Sequence, residues 1–187
     1  MARILAAFAV TLFSAALLLS CRPTAKNETQ KWENNKKDYA EAVTKYPSFK
    51  ALLEQKMAAA QKLWDEAVKI AKEEEKAVKM KEANDKLNEL LNQFTQIKYK
   101  TQGIQDAIEK LSSKKLARSE ELVRQKAKDE AVKALAEVRD MMAKAKPAIE
   151  EDAMKITREV IGRLITAQGN IDRAIKSLEP KKAPKKK

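Results

Sequence analysis

Histidine is absent from the 187 residues of the chain, and cysteine occurs only once. Without histidine or a second cysteine, the usual ligand sets for zinc, copper and haem cannot be assembled. Catalytic triads and dyads that depend on histidine are excluded for the same reason. A single cysteine cannot form a disulfide within the chain, so packing alone must hold the fold together.

Glycine and aromatic residues are also scarce. There are 3 glycines, and aromatic residues make up 5% of the chain, whereas charged residues make up 35%. Gly103, Gly162 and Gly169 are too scattered to form a phosphate-binding loop. Mixed lysine and glutamate at this density is typical of solvated helices. We therefore expect a protein that is not an enzyme and that needs no cofactor.

An uncharged apolar segment covers residues 4–19, between Arg3 and Ser20. It is about 16 residues long, which is shorter than the roughly 20 residues that a membrane-spanning helix needs. A positive charge, an apolar run and then a small residue are typical of a secretory signal peptide. These features favour cleavage of the segment over the alternative, a retained N-terminal membrane helix.

The end of this segment, Leu18-Leu19-Ser20-Cys21, resembles the lipobox of bacterial lipoproteins. The resemblance implies that residues 1–20 are a signal peptide and that Cys21 is acylated on its sulfur and at its new amino terminus. Two or more acyl chains anchor a protein stably, so the expected partner is a membrane on the extracytoplasmic side. Arg22 is not the aspartate that signals inner-membrane retention in enteric bacteria, which favours the outer membrane.

The C-terminal segment 180–187 is rich in lysine and proline, in a chain whose net charge is +12. Such a segment cannot bury apolar area, so we predict a disordered tail. Nucleic acid is a common partner of basic chains, but an exported protein rarely meets it, and we expect no nucleic-acid binding. The tail is either a solubilising end or a contact for an anionic surface. The lysines that would make that contact are Lys181, Lys182, Lys185, Lys186 and Lys187.

Lys187 also resembles the terminal lysine of the murein lipoprotein, which is joined to peptidoglycan. The resemblance is limited to a lysine at the C-terminus. The candidate partners of the exported chain are therefore peptidoglycan, anionic lipid or another envelope protein.

Helical periodicity runs through residues 28–179, which we predict to be one helical domain after a linker, 21–27. A first helix should begin after Asn27 as its N-cap, because asparagine accepts hydrogen bonds from the first helical turn. It should end before Pro47, since the residue before proline is pushed out of the helical region. Ser48 should then cap the next helix.

Two apolar stripes of nearly equal length follow, over 48–111 and 116–178. Most of their apolar residues recur every three or four positions, which is close to a coiled-coil heptad. Gly103 lies within the first stripe without interrupting its rhythm, so we place it inside a helix. Equal arms around a short break predict an all-α fold, a long antiparallel helical hairpin with the first helix packed at its base.

The hairpin register opposes Leu63 to Leu164 and brings Trp32 to Trp64 at the base. Both arms are irregular at one level, where the charged run 72–76 faces Pro147. Proline interrupts a helix or begins a new one. Two alternatives therefore remain open: the hairpin bends at this level, or its outer half folds down into a shorter bundle.

Two features could indicate a binding site. The acidic runs 73–75 and 150–152 could ligate a metal, but consecutive helical residues point about 100° apart and do not converge. The aromatic base around Trp32 and Trp64 could hold a ligand, although core packing is the commoner use of such residues. We therefore predict a lipid-anchored envelope protein that acts as a helical spacer or docking surface. The alternative is an envelope binding module for a small ligand or lipid, which would leave Trp32 or Trp64 partly exposed in a cavity, whereas a structural core would bury both.

Overall fold

The computed structural model describes residues 23–113 and 116–179, without the side chain of Ser119. Within these ranges every regular element is a helix, which confirms the all-α class. A short 3-10 helix separates the first two of five α-helices. The elements are α1 (Ala25–Lys45), the 3-10 helix (Pro47–Phe49), α2 (Lys50–Ala67), α3 (Glu73–Ser112), α4 (Arg118–Lys144) and α5 (Glu150–Ser177).

The described chain divides into two compact units. The first unit comprises residues 23–36 with Met57–Leu87, and the second comprises Lys37–Lys56 with the described residues from Asn88 onwards. Helices α1, α2 and α3 each contribute residues to both units.

The first helix begins at Ala25, so the prediction that Asn27 is its N-cap is wrong. Asn27 lies inside the helix, and its backbone N–H donates to Thr24 Oγ1 at 3.2 Å. Threonine accepts this hydrogen bond as asparagine would, and it stands three residues earlier. The last three residues of the predicted linker 21–27 are consequently helical.

The end of α1 at Lys45 agrees with the prediction from Pro47, and Tyr46 has left the helical conformation with φ of −127°. Ser48 is not the N-cap of the next helix, because the 3-10 helix leads directly into α2. Its hydroxyl donates instead to the carbonyl oxygen of Met142 at 2.6 Å. This bond joins the 3-10 helix to the end of α4 within the second unit.

Each predicted arm is interrupted. The first arm ends at Ala67 and resumes at Glu73, and the second ends at Lys144 and resumes at Glu150. The second break contains Pro147, which cannot donate a backbone hydrogen bond and restricts the residue before it. Acidic residues occupy the first turn of both resumed helices, where the helix dipole favours negative charge. Two continuous arms are therefore not confirmed, although both breaks adjoin the irregularities seen in the sequence.

Helices α4 and α5 pack against each other within the second unit. Arg163 on α5 forms an ion pair with Glu137 on α4 at 3.5 Å. In the predicted long hairpin these two segments would lie end to end along one arm. Of the two alternatives left open by the sequence, this packing favours the one in which part of the arm folds down.

The buried face of α5 follows the predicted stripe. Val160, Leu164 and Ile171 have no exposed surface, and Ala167 between them is 6% exposed. Their spacings of three and four residues place them on one side of the helix. None of the helices within 23–113 and 116–179 is both long and apolar enough to cross a membrane.

Candidate functional site

The residues predicted to contact the cell envelope lie outside the described ranges. They are Cys21 and the tail lysines Lys181, Lys182, Lys185, Lys186 and Lys187. Their roles therefore stay predictions from the sequence.

Trp32 on α1 and Trp64 on α2 meet in the first unit. Their rings stack with centroids 4.7 Å apart and planes 7° apart. Trp32 is 2% exposed, while Trp64 is partly buried against a small cluster of buried apolar residues. The cluster consists of Ala25, Ala67, Ala77 and Met80. The structure thus brings the two tryptophans together, as the sequence predicted.

A buried polar network lies in the same unit and was not predicted. Glu28, Asn35 and Asn84 are 1%, 5% and 1% exposed. The Asn84 amide donates to Glu28 Oε2 at 2.9 Å, and the Asn35 amide donates to Asn84 Oδ1 at 3.0 Å. Lys31 donates to the other carboxylate oxygen of Glu28 at 2.6 Å. One feature of the sequence could have indicated this network: Asn84 is a polar residue at helical spacing within the apolar stripe of α3.

The acidic runs do not converge on a site. Glu75 forms an ion pair with Lys72 at 2.6 Å, and Glu150 on α5 forms an ion pair with Lys56 on α2. Within the described part of the chain, no group of three or more acidic, histidine or cysteine side chains is placed to hold a metal ion. Both runs lie in the first turn of a helix, where the helix dipole favours negative charge.

The second unit contains a groove of about 500 Å³ that the sequence analysis did not predict. We call it the α3–α4 groove, because residues of both helices line it together with Tyr46 and Pro47. Its apolar lining includes Ile97, Val138 and Met142, which are 2%, 5% and 3% exposed. The sequence could not reveal it, since its two walls are about 40 residues apart in the chain.

The polar edge of the α3–α4 groove carries positive charge. Lys45, Lys98 and Arg139 line it, and Lys98 pairs with Glu41 at 2.7 Å. The hydrogen bond that Lys98 donates to Glu41 raises the pKa of Lys98, so this lysine stays charged at neutral pH.

Tyr46 lies at the same edge and stacks on Phe94, with ring centroids 4.9 Å apart. Burial, followed by the charge of Glu41, raises the pKa of Tyr46 from 10.0 to about 12. The phenol of Tyr46 therefore stays neutral at neutral pH.

A second groove, between α4 and α5, has a volume of about 560 Å³. Small residues line it, including Ala134 and Gly162, and its charged side chains are mostly acidic. Those charged residues are Glu130, Glu137, Glu159 and Arg163. We call it the α4–α5 groove, and within it Arg163 forms ion pairs with Glu137 and Glu159.

No family model matches the chain, and no curated protein or solved structure is significantly similar to it.

Proposed function

We propose that the chain is a lipid-anchored structural or interaction protein of the bacterial cell envelope. Its anchor is the acylated Cys21, implied by the lipobox resemblance of Leu18 to Cys21. The helical part that follows acts as a spacer or as a docking surface for another envelope component. No catalytic step is assigned to it.

The stacking of Trp32 on Trp64 is the observation that favours a structural function over ligand binding. A ligand site built on this aromatic base would leave one indole partly exposed in a cavity, whereas a structural core would bury both. Trp32 is 2% exposed, and Trp64, which covers it, is partly buried and packs against buried apolar residues. Rings used in this way contribute apolar burial and stacking to a core. This supports a structural use over the alternative, an envelope module that binds a small ligand or lipid at the aromatic base.

The distribution of charge also supports a spacer. Ion pairs between side chains three or four residues apart recur along all five α-helices, for example Lys36 with Glu33 and Arg163 with Glu159. Pairs at this spacing stabilise single helices by about 0.2–0.5 kcal/mol each. Further examples are Lys50–Glu54, Lys79–Glu82 and Lys144–Asp140. The charged surface thus reinforces each helix and keeps it hydrated.

The membrane anchor is tested by the intact mass of the protein extracted from membranes. We expect the wild-type polypeptide to begin at Cys21 and to carry acyl groups, and Cys21→Ala to leave the membrane without acyl mass. Arg22→Asp is the matched control, because it should leave acylation unchanged and move the protein toward the inner membrane. A wild-type polypeptide that begins at Met1 without acyl mass would contradict the proposal.

The tail is tested separately, by deleting residues 181–187. The deletion should leave the helical content unchanged and weaken binding to anionic vesicles or peptidoglycan sacculi. Binding by the full chain should fade as salt rises, since exposed charges are screened within about 8 Å at physiological ionic strength. Equal binding by both proteins at low salt would assign the tail a solubilising role only.

Docking by the helices is tested with photo-cross-linking residues at exposed apolar positions. Leu122 and Val132 on α4 and Ile165 on α5 are 77%, 54% and 52% exposed. We expect adducts of discrete mass from at least one position in cells, and their loss when Cys21→Ala releases the chain. Lys133, an exposed polar position on α4, is the matched control. If no position forms an adduct that depends on Cys21, the docking role is excluded and only a spacer remains.

A further inference from the structure

The α3–α4 groove combines an apolar lining with one sign of charge. Lys45, Lys98 and Arg139 line it, and none of its lining residues is a carboxylate, in a chain with 27 Asp and Glu. The α4–α5 groove, of similar volume, is lined by three glutamates. The linings of the two grooves therefore differ in charge. Glu41 beside the α3–α4 groove pairs with Lys98 at 2.7 Å, so the positive charge of the edge comes mainly from Lys45 and Arg139.

Apolar side chains form the inner surface of the groove. Ile97, Val138 and Met142 are almost fully buried, and Leu135 is half-buried. A volume of about 500 Å³ lies within the range of roughly 300–1,000 Å³ that is typical of small-molecule sites. Neutral polar side chains also line the groove: Gln102 and Gln105 are exposed, whereas Thr101 and Tyr46 are half-buried.

The walls are held in place by contacts outside the groove. Tyr46 is fixed by its stacking on Phe94, and Ser48 ties the 3-10 helix to the carbonyl oxygen of Met142 at 2.6 Å. Phe94 is also in edge-to-face contact with Phe49, with centroids 5.2 Å apart. A site whose walls are already ordered loses less entropy when a ligand binds.

We propose that the α3–α4 groove binds a single-chain amphiphile with an anionic head, namely a free long-chain carboxylate. The alkyl chain lies along the buried apolar residues, and the carboxylate lies at the edge beside Arg139 and Lys45. Arginine suits this head group because its planar guanidinium can donate two hydrogen bonds to one carboxylate. This site differs from the tryptophan pair, and it does not rest on the proposed spacer or docking function.

Photoaffinity labelling of the full chain in its own membranes tests the site. The probe is hexadecanoic acid with a diazirine on its chain, and adducts are located by mass spectrometry. We expect labelling on the α3 wall, within residues 97–105. Labelling confined to residues outside the groove, or spread evenly along the helices, would overturn the proposal.

Competition defines the ligand class. Each buried methylene strengthens binding about fourfold, so tetradecanoate should compete at least tenfold better than octanoate. Tetradecanol has the same chain without the charge, and it should also compete at least tenfold less well than tetradecanoate. Equal competition by octanoate would exclude an apolar chain site, and equal competition by tetradecanol would exclude a carboxylate site.

Two charge-reversal variants, one at the edge of the groove and one outside it, test the role of the positive charge. Arg139→Glu should lower labelling of residues 97–105 at least tenfold, because a carboxylate would then face the anionic head. Lys133→Glu makes the same charge change at an exposed position of α4 outside the groove, and it should alter labelling less than twofold. Neither variant changes the α3 peptide that is measured, and circular dichroism checks that both are folded. Equal labelling of the two variants would overturn the proposal.

Discussion

Asn84 on α3 donates hydrogen bonds from one amide nitrogen to both the backbone oxygen of Glu28, at 3.0 Å, and its carboxylate oxygen Oε2, at 2.9 Å. Both residues are 1% exposed. A buried carboxylate is costly unless it is paired and hydrogen-bonded, and here Asn84 and Lys31 satisfy it. This pair therefore links α1 to α3 at one position of the first unit, because a shift along either helix would remove the hydrogen bond from Asn84 and leave Glu28 with Lys31 alone.

Asn84→Ala should destabilise the protein by about 2–4 kcal/mol, because it leaves Glu28 and Asn35 without a shared partner in the core. Asn92→Ala, at an exposed position of the same helix, is the matched control and should change stability by less than about 0.5 kcal/mol. Urea unfolding followed by circular dichroism measures both. Equal stabilities of the wild type and Asn84→Ala would show that the buried polar network contributes nothing to the free energy of unfolding.

Trp32→Ala should cost about 3–5 kcal/mol, since it removes a large buried ring and the stacking partner of Trp64. Trp64→Ala should cost less, because Trp64 is only partly buried. Tyr99 is 69% exposed, so Tyr99→Ala is the control for loss of an aromatic ring without loss of core. Chemical unfolding gives the three values, and a larger cost for Trp64→Ala than for Trp32→Ala would contradict the burial described here.

Gly162→Ala and Gly169→Ala should each stabilise the protein by about 0.5–1 kcal/mol, because glycine is unfavourable inside a helix. A Cβ at either position of α5 would meet no atom within 4 Å. At Gly103 a Cβ would lie 3.3 Å from Gln168 Oε1, so Gly103→Ala should raise the stability of the protein by less than the other two substitutions. Thermal unfolding ranks the three variants. A gain at Gly103 equal to the other two would show that Gln168 moves freely.

Tyr46 should make stability fall at high pH. In the unfolded chain tyrosine ionises near pH 10, whereas burial raises the pKa of Tyr46 to about 12 in the folded protein. Between these values the unfolded state has released a proton that the folded state retains, so unfolding becomes easier as pH rises. The stabilisation is complete below about pH 10 and is lost as pH approaches about 12.

Tyr46→Phe removes this ionisation while keeping the ring that stacks on Phe94. We expect the wild type to lose more stability than the variant between about pH 9 and pH 12, as measured by urea midpoints at each pH. The variant should also lack the component of tyrosinate absorbance that appears at the highest pH. Parallel losses of stability in the two proteins would contradict the shifted pKa.

Much of the local structure could be predicted from the sequence. Spacings of three and four residues predicted the helices, and Pro47 and Pro147 marked two of the places where helices end. Gly103 was placed correctly inside α3, because one glycine does not stop a helix with continuous apolar periodicity. These features depend on residues that are neighbours in the chain, and their physics acts within a few turns.

The partners of the predicted capping residues could not be predicted from neighbouring residues alone. Asn27 and Ser48 are both good N-caps in isolation, yet Thr24 receives the hydrogen bond at the start of α1, and Ser48 donates to Met142. The choice at Ser48 depends on a carbonyl group 94 residues away along the chain. Capping preference describes what a side chain can do, and its surroundings decide which partner it takes.

The sequence by itself determined that the described chain is helical, which faces of its helices are apolar, and near which residues the two predicted arms are irregular. Only the tertiary structure decided that α4 packs on α5, that Asn84 pairs with Glu28, and that a basic apolar groove lies between α3 and α4. The reason is physical. Apolar stripes at helical spacing fit many partners with similar free energy of burial, because the hydrophobic effect is not directional. The pairing that forms is selected by the breaks, the buried polar contacts and the side-chain volumes acting together across the fold.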